Sequence, residues 1–238
     1  MKRLFFKDLV ILNNLFNNKN NDRTKLVKNN ILLNTIIKGM SVIISFLMVK
    51  ITYQYLGNKE LYGAWLTILS VLTWINLFDL GIGNGLRNRL AQMISAQNFN
   101  RGKIYVSTGY FVVLSIVLIL TLLFLLISPL IKWNAIFNLS MNATDLDITV
   151  TLIIISYFFI FLFSLINSIS YAHQDAALPG LISLLSNTLI IIFIYILDHV
   201  NYSSFFILGL VYSSITLLVL IVANVYLFSK KYSLVRPS

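Results

Sequence analysis

The sequence contains no cysteine, so disulfides, thiol nucleophiles and cysteine-ligated metal centres are excluded. Charge is scarce as well: 11% of the 238 residues are Asp, Glu, Lys or Arg, against 58% hydrophobic. A soluble domain carries about 25% charged residues, so this composition excludes an ordinary water-soluble fold. No stretch alternates with the period of a lipid-facing barrel strand, which leaves helices as the spanning elements. A cleavable signal is not expected either. The run Leu9-Val10-Ile11-Leu12 is too short, Lys7 and Asp8 interrupt the stretch around it, and no small-residue cleavage site follows.

What is present is a set of apolar blocks close to the roughly 20 residues needed to cross about 30 Å of hydrocarbon. They predict an all-α, polytopic membrane bundle of six spans, at about 31–56, 61–82, 104–131, 148–172, 179–197 and 205–228. Residues 1–30 read as a polar, basic cytoplasmic tail lying partly on the anionic leaflet, and 229–238 as a second basic tail. Pro129 is placed to end the third span and Pro179 suits the first turn of the fifth.

The formal net charge of +10 is compatible with nucleic acid, but its distribution points elsewhere. With six spans and the N-terminus inside, about fourteen Lys and Arg fall in cytoplasmic segments, and only Lys59 and Lys132 fall outside. That is the positive-inside bias, so both termini are expected in the cytoplasm and no nucleic acid is expected as partner.

Ionisable and polar residues inside spans need an explanation, because a charge at the bilayer centre costs about 2.5–3.5 kcal/mol on insertion scales. In the first span Asn34, Lys38, Ser41, Ser45 and Thr52 fall within a sector of about 60° on a helix. Such a face should look toward other helices or a hydrated cavity, where Lys38 offers a cation to a phosphate or acidic sugar; the alternative is that Lys38 extends to the interface. Lys50, on the opposite side and near the outer end, fits snorkelling, and Tyr53, Tyr55 and Trp65 fit an aromatic belt.

The run from Asp79 to Arg89 carries Gly81, Gly83 and Gly85 at alternate positions, which suits a sharp turn or close helix approach. It is not a dinucleotide fingerprint, since the spacing is wrong and a membrane helix stands where a strand should. Asp79 is within reach of Arg87 or Arg89 if the glycines fold the chain back, either as a structural ion pair or in a gating role. From Gly85 to Gln97, Leu86, Leu90, Met93 and Ile94 recur at helical spacing, as in an interfacial amphipathic helix. The pairs His173/Asp175 and Asp198/His199 read as solvated turn residues; neither supplies the three ligands of a metal site or the nucleophile and pocket of a catalytic one. No metal, cofactor or catalytic residue is therefore expected, and the protein reads as non-enzymatic.

Three stretches together resemble a known family. The run from Tyr55 to Trp65 contains Leu56-Gly57 and Tyr62-Gly63-Ala64-Trp65; Ser70 to Trp74 follows, then Phe78-Asp79-Leu80-Gly81-Ile82-Gly83-Asn84-Gly85-Leu86-Arg87-Asn88. Over about 50–105 this resembles the start of the O-antigen and capsule flippases of the polysaccharide transporter family, within the multidrug, oligosaccharidyl-lipid and polysaccharide exporter superfamily. The resemblance implies an undecaprenyl-diphosphate-linked oligosaccharide as substrate, passed from inner to outer leaflet of a bacterial cytoplasmic membrane by alternating access. It also implies basic residues lining a cavity, which suits Lys38 and Arg87, with Asn34, Ser41, Ser45, Asp79 and Arg89 beside them. Family members have two similar bundles; this chain, with six spans, looks like the N-terminal lobe alone, a truncated product or a half that pairs with a second half or a second copy. The rival readings are a drug/cation antiporter of the same superfamily, which calls for a buried carboxylate, and a membrane-embedded polysaccharide polymerase or acyltransferase, which calls for a catalytic constellation.

Overall fold

The computed structural model describes residues 32–77, 81–137 and 143–237, and all regular structure among them is helical. In chain order the helices are α1 Leu32–Leu56, α2 Lys59–Leu77, α3 Ile82–Ser95, α4 Phe99–Ile127, α5 Trp133–Phe137, α6 Ala143–Phe163, α7 Leu165–Ala172, α8 Ala177–His199 and α9 Phe205–Lys230. Short 3₁₀ turns follow α4 at Ser128–Leu130 and α9 at Ser233–Val235. Among the described residues five stretches are long and apolar enough to cross a membrane: Leu32–Leu56, Phe99–Leu130, Leu146–Ala172, Ala177–His199 and Phe205–Lys230. The protein is thus an all-α, polytopic membrane bundle. The traverse expected over 61–82 is helical as α2, 19 residues long, and is not among those five. The tail 1–30, Asp79 and residues 138–142 lie outside the described residues.

The long helices alternate in direction. α1 meets the start of α8, where a Cβ on Gly180 would lie 2.9 Å from Ile37, and further along Thr52 of α1 reaches Tyr212 of α9. α6 and α9 run side by side in the same direction, with Gly209 against Ile153 and Thr149 at one end and Asn224 against Phe163 at the other. α4 is antiparallel to both, since Tyr110 meets Asn224 and Ser128 meets Thr151. One end of the bundle consequently gathers the α3–α4 turn, the α7–α8 turn and residues 231–237. The other gathers the α1–α2 and α8–α9 turns and α5.

Lipid removes the hydrophobic drive between helices, so close packing and polar bonds must hold them. Glycines supply the close approach: Gly209 touches Ile153, and Gly102 and Gly109 receive Val235, Leu90 and Leu86. The outward faces are largely apolar, with Phe46 75% and Leu126 74% exposed, as lipid-facing side chains should be.

Two elements differ in detail from the sequence expectation. The span predicted over 148–172 is interrupted at Ser164, whose hydroxyl donates to the Phe161 carbonyl at 2.7 Å, so that α6 and α7 are separate helices. The predicted interfacial helix is α3, yet its apolar stripe does not lie on lipid. Leu86 and Leu90 are buried against Gly109 and Gly102, which lays α3 antiparallel along α4, and α3 also packs against α7. Three helix ends close in the same way. Gln97, Gln174 and Asn201 take positive φ of 54°, 63° and 54° after α3, α7 and α8. The next amide donates five residues back in each: Asn98 to Met93, Asp175 to Ser170, Tyr202 to Leu197. These are Schellman caps built without glycine, and they satisfy carbonyls that the helix ends leave open.

Candidate functional site

The predicted polar stripe of α1 straddles the edge of its packed face. Ile37, Thr52 and Tyr55 are buried, with Ile44, Met48 and Ile51 half-buried between them, and this face is centred about 60° to one side of the stripe. Asn34 and Ser41 are half-buried and Thr52 shares a 3.1 Å hydrogen bond with the Tyr212 hydroxyl. Lys38 and Ser45 are exposed. The serines satisfy themselves locally, Ser41 donating to the Ile37 carbonyl and Ser45 to the Ser41 carbonyl, each at 2.8 Å. Lys38, about two turns into α1, is exposed and makes no ion pair with a described carboxylate. Lys50 is exposed near the opposite end.

Two aromatics expected in an interfacial belt are core residues instead. Tyr55 and Trp65 are each 1% exposed. The Ser204 amide donates to the Tyr55 hydroxyl at 3.2 Å, and Trp65 stands edge-on to Phe205 and Tyr212, at 6.2 and 4.6 Å between ring centroids. The reason is geometric: α9 starts with an open amide end beside the α1–α2 turn, and these rings cap and cover it. Tyr53 alone of the three is exposed, packed against Tyr62.

On α3, Arg87 and Arg89 point outward while the helix's apolar stripe is buried. The Arg87 guanidinium lies 5.3 Å from the ring centroid of Tyr171 at the end of α7, a cation–π contact that fixes its direction. Of the three glycines only Gly81 takes a positive φ, 77°, while Gly83 and Gly85 are helical. Asp79, the partner expected for either arginine, lies outside the described residues.

The His173/Asp175 turn, expected to be solvated, is tied to the end of α9. Lys231 Nζ lies 2.9 Å from Asp175 Oδ1, and the Tyr232 hydroxyl donates to Asp175 Oδ2 at 2.8 Å. His173 stacks on Tyr232 at 4.2 Å and donates from Nδ1 to the Ile169 carbonyl at 2.9 Å. Burial lowers the His173 pKa, with Lys231 acting the same way, against the Ile169 hydrogen bond and Asp175, which raise it. Burial likewise raises the pKa of Tyr232. The spacing in sequence gave no sign of this clasp, because its partner lies 57 residues away.

A second polar cluster lies inside the bundle. Asn224 of α9, 7% exposed, donates to the carbonyls of Phe163 and Leu220 at 2.9 and 2.8 Å and accepts from the Tyr110 hydroxyl. The Phe163 carbonyl sits where α6 is interrupted, and the Asn167 amide that would have served it bonds Ser164 instead. Asn224 therefore supplies the missing donor and joins α4, α6 and α9 at the break.

At the end that holds α3, the structure thus gathers exposed cations with no carboxylate partner among the described residues, Arg87 and Arg89, with Lys38 set deeper on α1. Chemically this can receive a phosphate but offers no nucleophile paired with a base. Among the described residues no group of three or more His, Asp or Glu is placed to hold a metal ion. Compared with protein-family models, with curated proteins and with solved structures, the chain matches none.

Proposed function

We propose that the chain is one lobe of a non-enzymatic transporter that passes an undecaprenyl-diphosphate-linked oligosaccharide from the inner to the outer leaflet of a bacterial cytoplasmic membrane, for O-antigen or capsule synthesis. The observation that carries this reading is Lys38, an exposed ammonium beside a polar stripe, about two turns into α1 and with no carboxylate partner among the described residues. A cation there is costly against lipid and favourable against a hydrated cavity or an anionic carrier. α1 is also the least enclosed of the five apolar helices, so its outward face is free to form one wall of such a cavity. A second copy or a separate second half supplies the other wall, as alternation by rocking two repeats requires. The basic residues support the orientation. Arg87, Arg89, Arg101, Lys103, Lys230, Lys231 and Arg236 share one end of the bundle, against Lys59 and Lys132 at the other, so the first end belongs in the cytoplasm.

The test is expression in a strain lacking its own flippase, with and without a separate second half, with surface polysaccharide as readout. The pair should restore it and a Lys38→Ala, Arg87→Ala double variant should lower restoration by about tenfold or more, the loss of charge-assisted contacts at about 1.5–3 kcal/mol. Full restoration by the double variant, at equal membrane abundance, refutes the reading.

A further inference from the structure

We propose that the groove between the end of α4 and the first turns of α6 binds a bilayer phospholipid bearing a primary-ammonium headgroup. A 3₁₀ turn containing Pro129 follows α4, Ile131 is then extended, and a cavity of about 390 Å³ lies between the end of α4 and the start of α6. Its walls are largely aliphatic, with Leu125 from α4 facing Leu152 and Ile155 from α6, and it opens onto a surface where Leu126 is 74% and Ile148 50% exposed. An acyl chain is the natural filling for such a wall within a bilayer.

The polar atoms select the headgroup. Asp147 and Thr151, one helical turn apart on α6, both line the groove, and Thr151 shares a 2.9 Å hydrogen bond with Ser128 across it. Asp147 stands one residue into the apolar stretch that starts at Leu146, yet makes no ion pair with any described Lys or Arg. A carboxylate at that depth gains from a cation, and the hydroxyl pair retains lone pairs for further donors. A primary ammonium brings three N–H donors on one compact charge and can serve the carboxylate and a hydroxyl together. A trimethylated ammonium has no N–H to give, and an anionic headgroup is repelled. This inference is independent of the transport reading, since it concerns the opposite end of the bundle from Arg87.

Native mass spectrometry of the full chain, titrated in detergent with dioleoyl phosphatidylethanolamine, its mono- and dimethylated forms, phosphatidylcholine or phosphatidylglycerol, tests it. Retention should fall with each N–H lost, by about tenfold from ethanolamine to choline, and Asp147→Asn should level the series while Asp147→Glu preserves it. Equal retention of ethanolamine and choline lipids by the unsubstituted chain overturns the proposal, as does preferred retention of phosphatidylglycerol. The methylation series needs no variant, so misfolding of Asp147→Asn does not blunt the test; an Asp147→Asn protein that folds and keeps the ethanolamine preference also overturns it.

Discussion

Replacing Asn224 by Leu keeps the side-chain volume but removes three bonds at once: those to the Phe163 and Leu220 carbonyls and that from the Tyr110 hydroxyl. Interhelical side-chain hydrogen bonds in membranes average about 0.6 kcal/mol and reach about 1.7. The two interhelical bonds therefore account for about 1–3 kcal/mol. The Phe163 carbonyl loses its donor at a helix interruption, where an unmade bond costs a further 1–3 kcal/mol or so. Leu is the better helix former by roughly 0.5 kcal/mol, which offsets a little. The net expectation is a loss of about 1.5–5.5 kcal/mol. Tyr110→Phe alone should cost about 1 kcal/mol, leaving Asn224 with its two carbonyls. The informative measurement is the double-mutant cycle, by reversible unfolding in mixed micelles followed by circular dichroism. Once Asn224 is gone the Tyr110 hydroxyl has lost its partner, so the double variant should be no less stable than Asn224→Leu, with a coupling of about 1 kcal/mol. Strict additivity of the two substitutions, or a cost below about 0.5 kcal/mol for Asn224→Leu, would show that the three-helix junction does not hold the α6–α7 break.

Three further outcomes are expected. His173 has a folded pKa below its ordinary 6.5, so the unfolded chain takes up the proton first; stability is full above about 6.5 and falls as pH drops below it, and His173→Gln should flatten that dependence in pH-resolved melting curves. Gly209→Ala would set a Cβ 2.7 Å from Ile153 Cδ1 and 3.2 Å from Thr149 Cγ2, costing about 1–3 kcal/mol; adding Ile153→Val should recover part of it, and no recovery would place the clash elsewhere. Gln174→Gly at φ 63° should stabilise by about 1 kcal/mol, because a side chain in the left-handed region is strained, whereas a loss would mean that the Gln174 side chain makes contacts worth more than that strain.

The bundle was legible because apolar blocks of spanning length leave few alternatives, and α3 because Leu86 and Leu90 recur at helical spacing. What covers that stripe was not legible: the partner is Gly102 and Gly109, and glycine leaves no hydrophobic mark in a periodic pattern. The interruption at Ser164 was hidden for a similar reason. Phe163-Ser164-Leu165 is ordinary in an apolar helix, and the donor that permits the break, Asn224, lies 61 residues away. The positions of Trp65 and Tyr55 suit an aromatic belt, but position alone cannot distinguish a lipid-facing ring from one covered by a later helix. The same distance problem affected Asp175, whose neighbours in sequence are solvated-looking and whose partners follow α9. Of the candidate site, the alignment of Asn34, Ser41 and Thr52 could be read from spacing; which edge of α1 is packed could not, because α1 is apolar on nearly every side.

The seal formed by Tyr55 and Trp65 on the first turn of α9 has a consequence for synthesis. The α1–α2 hairpin leaves the ribosome early, yet the Ser204 amide and the Phe205 ring that complete its packing are made some 149 residues after Tyr55. Until then these two rings lack the cover of α9, and the hairpin can dock only on α6 and α8. A helix translated well after the α1–α2 pair is thus the one that covers their rings, which makes closure of this part of the bundle a long-range event.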